Sequence, residues 1–412
     1  MAVIRPFRAL RPKREFAEKI ASPPYDIISS EEARKIYEKN PLSFVRVIRP
    51  EVNFPPGEGM YAEKVYKKAK EELLRYLKEG HMLQDETPKF YIYQQKDASH
   101  TQTGLVCVAS CEDYEKDVIK KHELTREEKE IDRAKHIDIV AAQTGPVFLT
   151  YRSREDVDPL LEEGKKGEPE YDFESDGVRH TLWVVDDPEL ISRIRKAFEG
   201  IDRLYVADGH HRSAASVRVK NWRKERNPKH TGEEEYNFFL CVVFPHSQLR
   251  ILDYNRVVRD LNRLTKEEFI EKIKENFRVE PAPSSPYRPE KPHEFGMYLG
   301  GKWYKLVAKT IPEDPVGSLD VSILQNFLLS PILGIQDPRR DKRINFVGGI
   351  KGLSELERLV NSGEYKVAFS MYPTTMDDLL RVADAGLIMP PKSTWFEPKL
   401  KSGLFVHLIE EV

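Results

Sequence analysis

An α/β fold built on mixed sheets, α+β in character, is predicted by three features of the 412-residue chain. Strand-like runs rich in β-branched and aromatic residues recur between amphipathic stretches of helical period. Residues 238–244, Phe-Phe-Leu-Cys-Val-Val-Phe, form an unbroken apolar run, the pattern of a strand covered on both faces. Hairpin signals around the polar loop 96–103 and around Gly300-Gly301 set antiparallel pairs toward both ends of the chain.

Taken in order, residues 1–10 alternate loosely and predict an edge strand with Pro6 near one end. Ser22-Pro23-Pro24-Tyr25-Asp26 is stiff and extended, because each proline restrains the residue before it. Ser29 or Ser30 then caps a helix. Residues 43–48 predict a strand, 61–79 a long amphipathic helix, and 90–94 with 104–110 a hairpin. Thr125 and Glu128 fit a capping box at the start of a charged helix. Residues 147–151 and 181–185 predict strands on either side of a polar surface excursion, 153–177. Asp187-Pro188 starts a helix reaching about 198. A strand at 203–207 runs into a helix from His211, and 220–235 is polar enough to be a loop. Beyond the apolar strand 238–244, residues 251–258 stay unassigned, and Thr265 caps a helix to about 276. The proline-rich stretch 281–292 is the expected internal boundary. Helices at 320–329, 353–359 and 375–385 then alternate with strands at 344–347 and 365–371. Three parts are expected: 1–110, 111–280 and 293–412.

Composition narrows the function. A formal net charge of −2 provides no whole-chain basic field, which argues against non-specific nucleic-acid binding. Cys107, Cys111 and Cys241 make neither a zinc pattern nor a disulfide framework. Charged residues at 33% and 28 prolines lean toward a heat-adapted protein. Arg5, Arg8 and Arg11 have no apolar core behind them, so no secretory signal is expected. No run of about 18 apolar residues predicts a membrane span. A cytoplasmic protein is the expectation.

One stretch stands out: Tyr205-Val206-Ala207-Asp208-Gly209-His210-His211-Arg212, where a strand hands over to a helix N-terminus. Unpaired N–H groups and the positive end of the helix dipole favour an anion there. Gly209 accepts the positive φ of a sharp reversal and lets the backbone approach a ligand. An ordinary turn would need only a cap, and Asp, Gly, two His and Arg together exceed that. A second donor-rich stretch is Met389-Pro390-Pro391-Lys392-Ser393-Thr394, followed by Pro398-Lys399. Between the two in chemical type is Lys121-His122-Glu123-Leu124-Thr125, with a carboxylate that folding does not require. Cations, N–H donors and a carboxylate suit phosphoryl transfer. No Walker motif and no dinucleotide glycine fingerprint is present. His122, Glu123, His210 and His211 could be written as zinc ligands, but neighbouring histidines rarely aim both rings at one ion, and no His-Glu-x-x-His spacing exists. Magnesium carried by a nucleotide is the more natural ion. A serine hydrolase is excluded for lack of a nucleophile elbow.

These stretches, with Gln143-Thr144-Gly145-Pro146 and Asp132-Arg133, occur in an order that resembles domain-of-unknown-function family 1015 over nearly the whole chain. Within it, His122-Glu123 followed by Asp208-Gly209-His210-His211-Arg212 resembles the core of the ParB/sulfiredoxin-like superfamily, whose members include free-serine kinases. The resemblance implies a ParB/sulfiredoxin-like core with additional N-terminal and C-terminal α/β parts. It implies a kinase that converts free L-serine to O-phospho-L-serine, with ATP (or ADP) as donor and Mg²⁺ as the accompanying ion. Glu123 would be the catalytic base, with His122 and Asp208 in the catalytic set. Gly209, His210, His211 and Arg212 would hold the nucleotide phosphates. Lys392, Ser393 and Thr394 are further nucleotide-binding candidates, and Tyr25, Asp26 and Lys399 are substrate-binding candidates, on motif and chemistry.

Two other classes fit the superfamily. A ParB-like nucleotide-binding regulator or DNA-binding protein would want a helix-turn-helix or a basic tail, and neither is evident. A sulfiredoxin-like reductase would want a cysteine in the cradle turn, where His210 and His211 stand. The partners expected are therefore a nucleotide and free L-serine, with no nucleic acid and no membrane.

Overall fold

The computed structural model describes residues 1–57 and 59–411. Its contacts divide the chain into two compact units, Met1–Leu249 with Pro398–Val412, and Arg250–Glu397. Both are α/β with mixed or antiparallel sheets, as the patterning predicts.

The first unit is built on a nine-stranded sheet. Phe238–Pro245 lies inside it, buried at every position, parallel to Val147–Tyr151 and antiparallel to Thr101–Ser110. Its outer neighbours on one side are Phe90–Lys96, Val178–Val185 and Tyr171–Ser175. On the other side, Val147–Tyr151 pairs antiparallel with Leu204–Asp208, which pairs parallel with the short edge strand Ile119–Lys120. Phe90, Leu105, Cys107, Leu149, Phe239 and Val243 belong to the core beneath one face. Each large apolar side chain so enclosed contributes about 1.5–3 kcal/mol. Ile4–Arg5 pairs with Thr101–Ser110, the edge role expected of the N-terminus. The C-terminal segment adds an antiparallel pair, His407–Leu408 with Ala142–Gln143. All three cysteines are free and buried. Among the described residues no helix is long and apolar enough to cross a membrane.

Several local expectations change. Residues 43–48 do not form a strand: Val45–Ile48 is one helical turn, with all four side chains buried. The β-branched run suggested a strand, but burial on every side serves a short core helix as well. The excursion at 153–177 contains a helix, Asp158–Glu163, and the strand Tyr171–Ser175, which turns at Asp176-Gly177 into Val178–Val185. Helix His210–Arg226 runs seven residues into the stretch expected to be a loop. Its polar end finds partners, with Lys220 on Glu115 and Arg223 and Arg226 on Asp138. The capping box at Thr125 is absent: Arg126 is the N-cap of Glu127–Val140, and the Thr125 hydroxyl donates to Glu130 at 2.9 Å.

The expected three-part division also differs from the contacts. Thr101–Ser110 and Phe238–Pro245 are hydrogen-bonded neighbours, so residues on both sides of 110 share one sheet. The stretch 281–292 joins Phe277–Pro281 to Glu294–Leu299, two strands of the second unit's single six-stranded sheet. That sheet also holds Lys302–Ala308, Val367–Met371, Tyr254–Val258 and Ile344–Gly348. Its core gathers Val257, Tyr298, Trp303, Leu356 and Ala368. Capping boxes at Thr265 and Thr375 start two of its helices.

Candidate active site

The site forms in the first unit where parallel strands end together. Leu204 pairs with Ile119 and Tyr205 with Lys120. Because the two strands run the same way, the residues after each emerge at one edge. Lys121-His122-Glu123 leaves one strand there, and Asp208-Gly209-His210 leaves the other. A register irregularity between Val206 and Asp208 marks the exit, and such a bulge re-aims a side chain at a strand end. Gly209 then takes φ 97° and ψ 32°, and helix His210–Arg226 begins with no side chain capping it. Its first N–H groups have no acceptor within the helix.

One potential ligand atom from each of His122, Glu123 and His210 lies within 4.8 Å of the others. The two imidazoles meet edge to face, with Nε2 atoms 3.4 Å apart. Burial lowers His122 to about 4, against the opposing pull of the Val206 backbone and Asp208. Burial, with His122 adding to it, keeps His210 well below its ordinary value. Both rings are therefore neutral near pH 7. His211 points elsewhere: its Nε2 accepts from the Arg126 N–H at 3.0 Å.

Positive charge sits beside this cluster. Lys399 Nζ is 3.1 Å from Asp208 Oδ2. Burial would raise the Asp208 carboxyl, but Lys399 and then Arg212 outweigh it and hold the group below the ordinary carboxylate value. Arg212 donates to the Pro146 carbonyl and approaches Asp26 at 3.5 Å. Arg133 stacks on the Tyr25 ring at 4.2 Å and is paired with Asp132 at 2.7 Å. Tyr25, Arg133, Thr144, Gly145, Arg212 and Ser402 line an adjoining cleft.

Thus Tyr25, Asp26, His122, Glu123, Asp208, Gly209, His210, Arg212 and Lys399 belong to one neighbourhood of the first unit. His211 flanks it. Arg133, Thr144, Gly145 and Ser402 are lining residues that residue-type reasoning did not select. The Asp132-Arg133 and Gln143-Thr144-Gly145-Pro146 motifs were the available signal for the first three. Lys392, Ser393 and Thr394 belong to the second unit. There Lys392 sits at φ 61°, and its carbonyl accepts from Arg256. The Ser393 hydroxyl donates to the Pro390 carbonyl at 2.6 Å, and Thr374 donates to the Ser393 carbonyl.

The family profile of a protein of unknown function, DUF1015, matches residues 4–322. The chain belongs to the DUF1015 family. No curated protein matches this member. Among solved structures, a free serine kinase in complex with AMP is similar at 14% identity and a TM-score of 0.35, over 68% of this chain and 84% of that one. A conserved hypothetical protein from Pyrococcus furiosus is similar at 14% identity and a TM-score of 0.36, over 71% and 93%. SbnI with a C-terminal truncation, from Staphylococcus aureus, is similar at 14% identity and a TM-score of 0.36, over 74% and 87%.

Proposed function

We propose that this DUF1015 protein is a cytoplasmic phosphotransferase that uses a nucleotide, ATP or ADP, to phosphorylate the hydroxyl of free L-serine. The observation that carries the reading is the approach of the Glu123 carboxylate to His210, the first residue of an uncapped helix. A base and an anion-ready helix terminus then share one small volume. The motif resemblance to free-serine kinases supports the same assignment.

In this reading the donor phosphates lie against the N–H groups of the first helical turn and the Arg212 guanidinium. The serine Oγ attacks the terminal phosphorus, the bond from that phosphorus to the bridging oxygen breaks, and Glu123 takes the hydroxyl proton. The products are O-phospho-L-serine and the nucleotide shortened by one phosphate. Because both imidazoles are neutral, fixed positive charge is concentrated on Arg212, Lys399 and the helix terminus, the side where phosphate charge must be met. Asp26 would face the serine ammonium, and the cleft between Tyr25 and Arg133 would take its carboxylate. Mg²⁺ arriving with the nucleotide would neutralise phosphate charge, and Asp208 is the carboxylate suited to it.

The test uses purified protein with Mg²⁺, a panel of donors (ATP, ADP, pyrophosphate) and free amino acids, read by phosphoamino-acid detection. Phosphoserine from one nucleotide is expected. No phosphorylated amino acid with any donor refutes the reading.

A further inference from the structure

We propose that, in the absence of nucleotide and serine, His122, Glu123 and His210 form a binding site for a divalent transition-metal ion such as Zn²⁺, Co²⁺ or Mn²⁺, separate in kind from any Mg²⁺ carried by a nucleotide; Glu123 is a ligand in that state and acts as the base of the proposed reaction only once it has left the ion. Among the described residues this is the one group of at least three His, Cys, Asp or Glu side chains whose ligand atoms gather so closely, all within 4.8 Å. The histidine pair is not the neighbouring His210 and His211, whose rings part company. It is His122 and His210, delivered from two strands that end side by side.

The Nε2 atoms are 3.4 Å apart, a long contact for a hydrogen bond between rings. Two nitrogens on one tetrahedral ion, each bonded at about 2.0–2.1 Å, stand about 3.4 Å apart. The separation is that of a coordination edge. With both rings converging on an ion their centroids would stand about 5 Å apart. They are 4.4 Å apart at 84°, so loading swings the rings apart by less than an ångström. His210 is 4% exposed, so the pair meets in a closed setting.

The donor set selects the ion. Two imidazoles and one carboxylate suit Zn²⁺, Co²⁺, Mn²⁺ or Fe²⁺, whereas Mg²⁺ takes oxygen ligands. Three protein ligands leave at least one position open, the arrangement of catalytic rather than structural zinc. A water or a phosphate oxygen can occupy that position.

The experiment takes full-length protein, strips it with chelator, and titrates it with Co²⁺ and then Zn²⁺, with no nucleotide or serine present. One Co²⁺ per chain is expected, with visible d–d absorption that Zn²⁺ abolishes and millimolar Mg²⁺ does not. Glu123→Gln, in the loop, and His210→Asn should each weaken Co²⁺ binding at least tenfold, with folding followed by circular dichroism. If His210→Asn does not fold, Glu123→Gln decides. A wild-type chain that holds no stoichiometric ion, or a folded variant that holds it equally well, overturns the site. Phosphoserine formation by protein that binds no Co²⁺ would refute the metal site and leave the kinase reading intact; stoichiometric Co²⁺ without phosphoserine would do the reverse.

Discussion

Replacing Gly209 by alanine tests the cradle at its tightest point. The residue sits at φ 97° and ψ 32°, where a Cβ costs about 1–2 kcal/mol. The added methyl would also stand 3.2 Å from Arg212 Cζ and 3.3 Å from its Nε and Nη2. That guanidinium is held by the Pro146 carbonyl and Asp26, so moving it weakens charged hydrogen bonds worth about 1.5–3 kcal/mol each. Partial loss of one brings the total to about 2–4 kcal/mol. Gly167 supplies the control: its φ is 94°, and a Cβ there meets nothing within 4 Å. Gly167→Ala should therefore cost only the backbone part, about 1–2 kcal/mol. For a unit of this size each kcal/mol lowers the melting temperature by about 2–4 °C. Thermal denaturation should show Gly209→Ala losing roughly 5–15 °C and Gly167→Ala roughly 2–8 °C. Calorimetric titration with nucleotide should show Gly209→Ala weakened about tenfold or more and Gly167→Ala unchanged. Equal melting losses would mean that Arg212 accommodates the methyl freely. A destabilised Gly209→Ala with full nucleotide affinity would remove the phosphates from this turn.

Three further outcomes are expected. Glu123→Gln should keep nucleotide binding and lose turnover by about 10²- to 10⁴-fold, while Arg212→Ala should show the opposite pattern; wild-type turnover in Glu123→Gln would take that residue out of the reaction. His122 and His136 are both lowered by burial to about 4, so between that value and about 6.5 the unfolded chain binds more protons than the folded one. Stability therefore falls as pH drops through this window, by on the order of 2 kcal/mol per group at pH 5, and a melting temperature unchanged from pH 7 to pH 5 would contradict it. Asp208 is held below its ordinary value, so its contribution is present above about pH 4 and fades as pH falls through the lower folded value. Lys399→Met removes the strongest opposing cation and should cost about 1–3 kcal/mol at pH 7, with the two melting curves converging as Asp208 becomes protonated in the folded protein; a gap that persists once the carboxyl is protonated would assign the loss to packing instead.

Local features were readable in advance. The strand, turn and helix around Gly209, the helix start at Asp187-Pro188, the cap at Thr265 and the hairpin at Gly300-Gly301 depend on neighbours a few residues apart, so residue order alone specifies them. The failures came where a distant partner outvoted the local pattern. Val45–Ile48 is β-branched text enclosed in a core, and Lys220 to Arg226 stay helical because Glu115 and Asp138 neutralise them.

The sequence by itself determined the chemistry on offer: a carboxylate beside a histidine, an anion-ready turn, a cluster of cations, and a family carrying all of them. Only the tertiary structure decided which of these meet. His122 and His210 are 88 residues apart, Asp26 and Arg212 186, and Asp208 and Lys399 191. Chain order carries no distance over such spans. Parallel pairing of two short strands and the return of the C-terminal segment to the first unit set those contacts, and by that return Lys399 belongs to the first unit while Lys392, seven residues before it, belongs to the second.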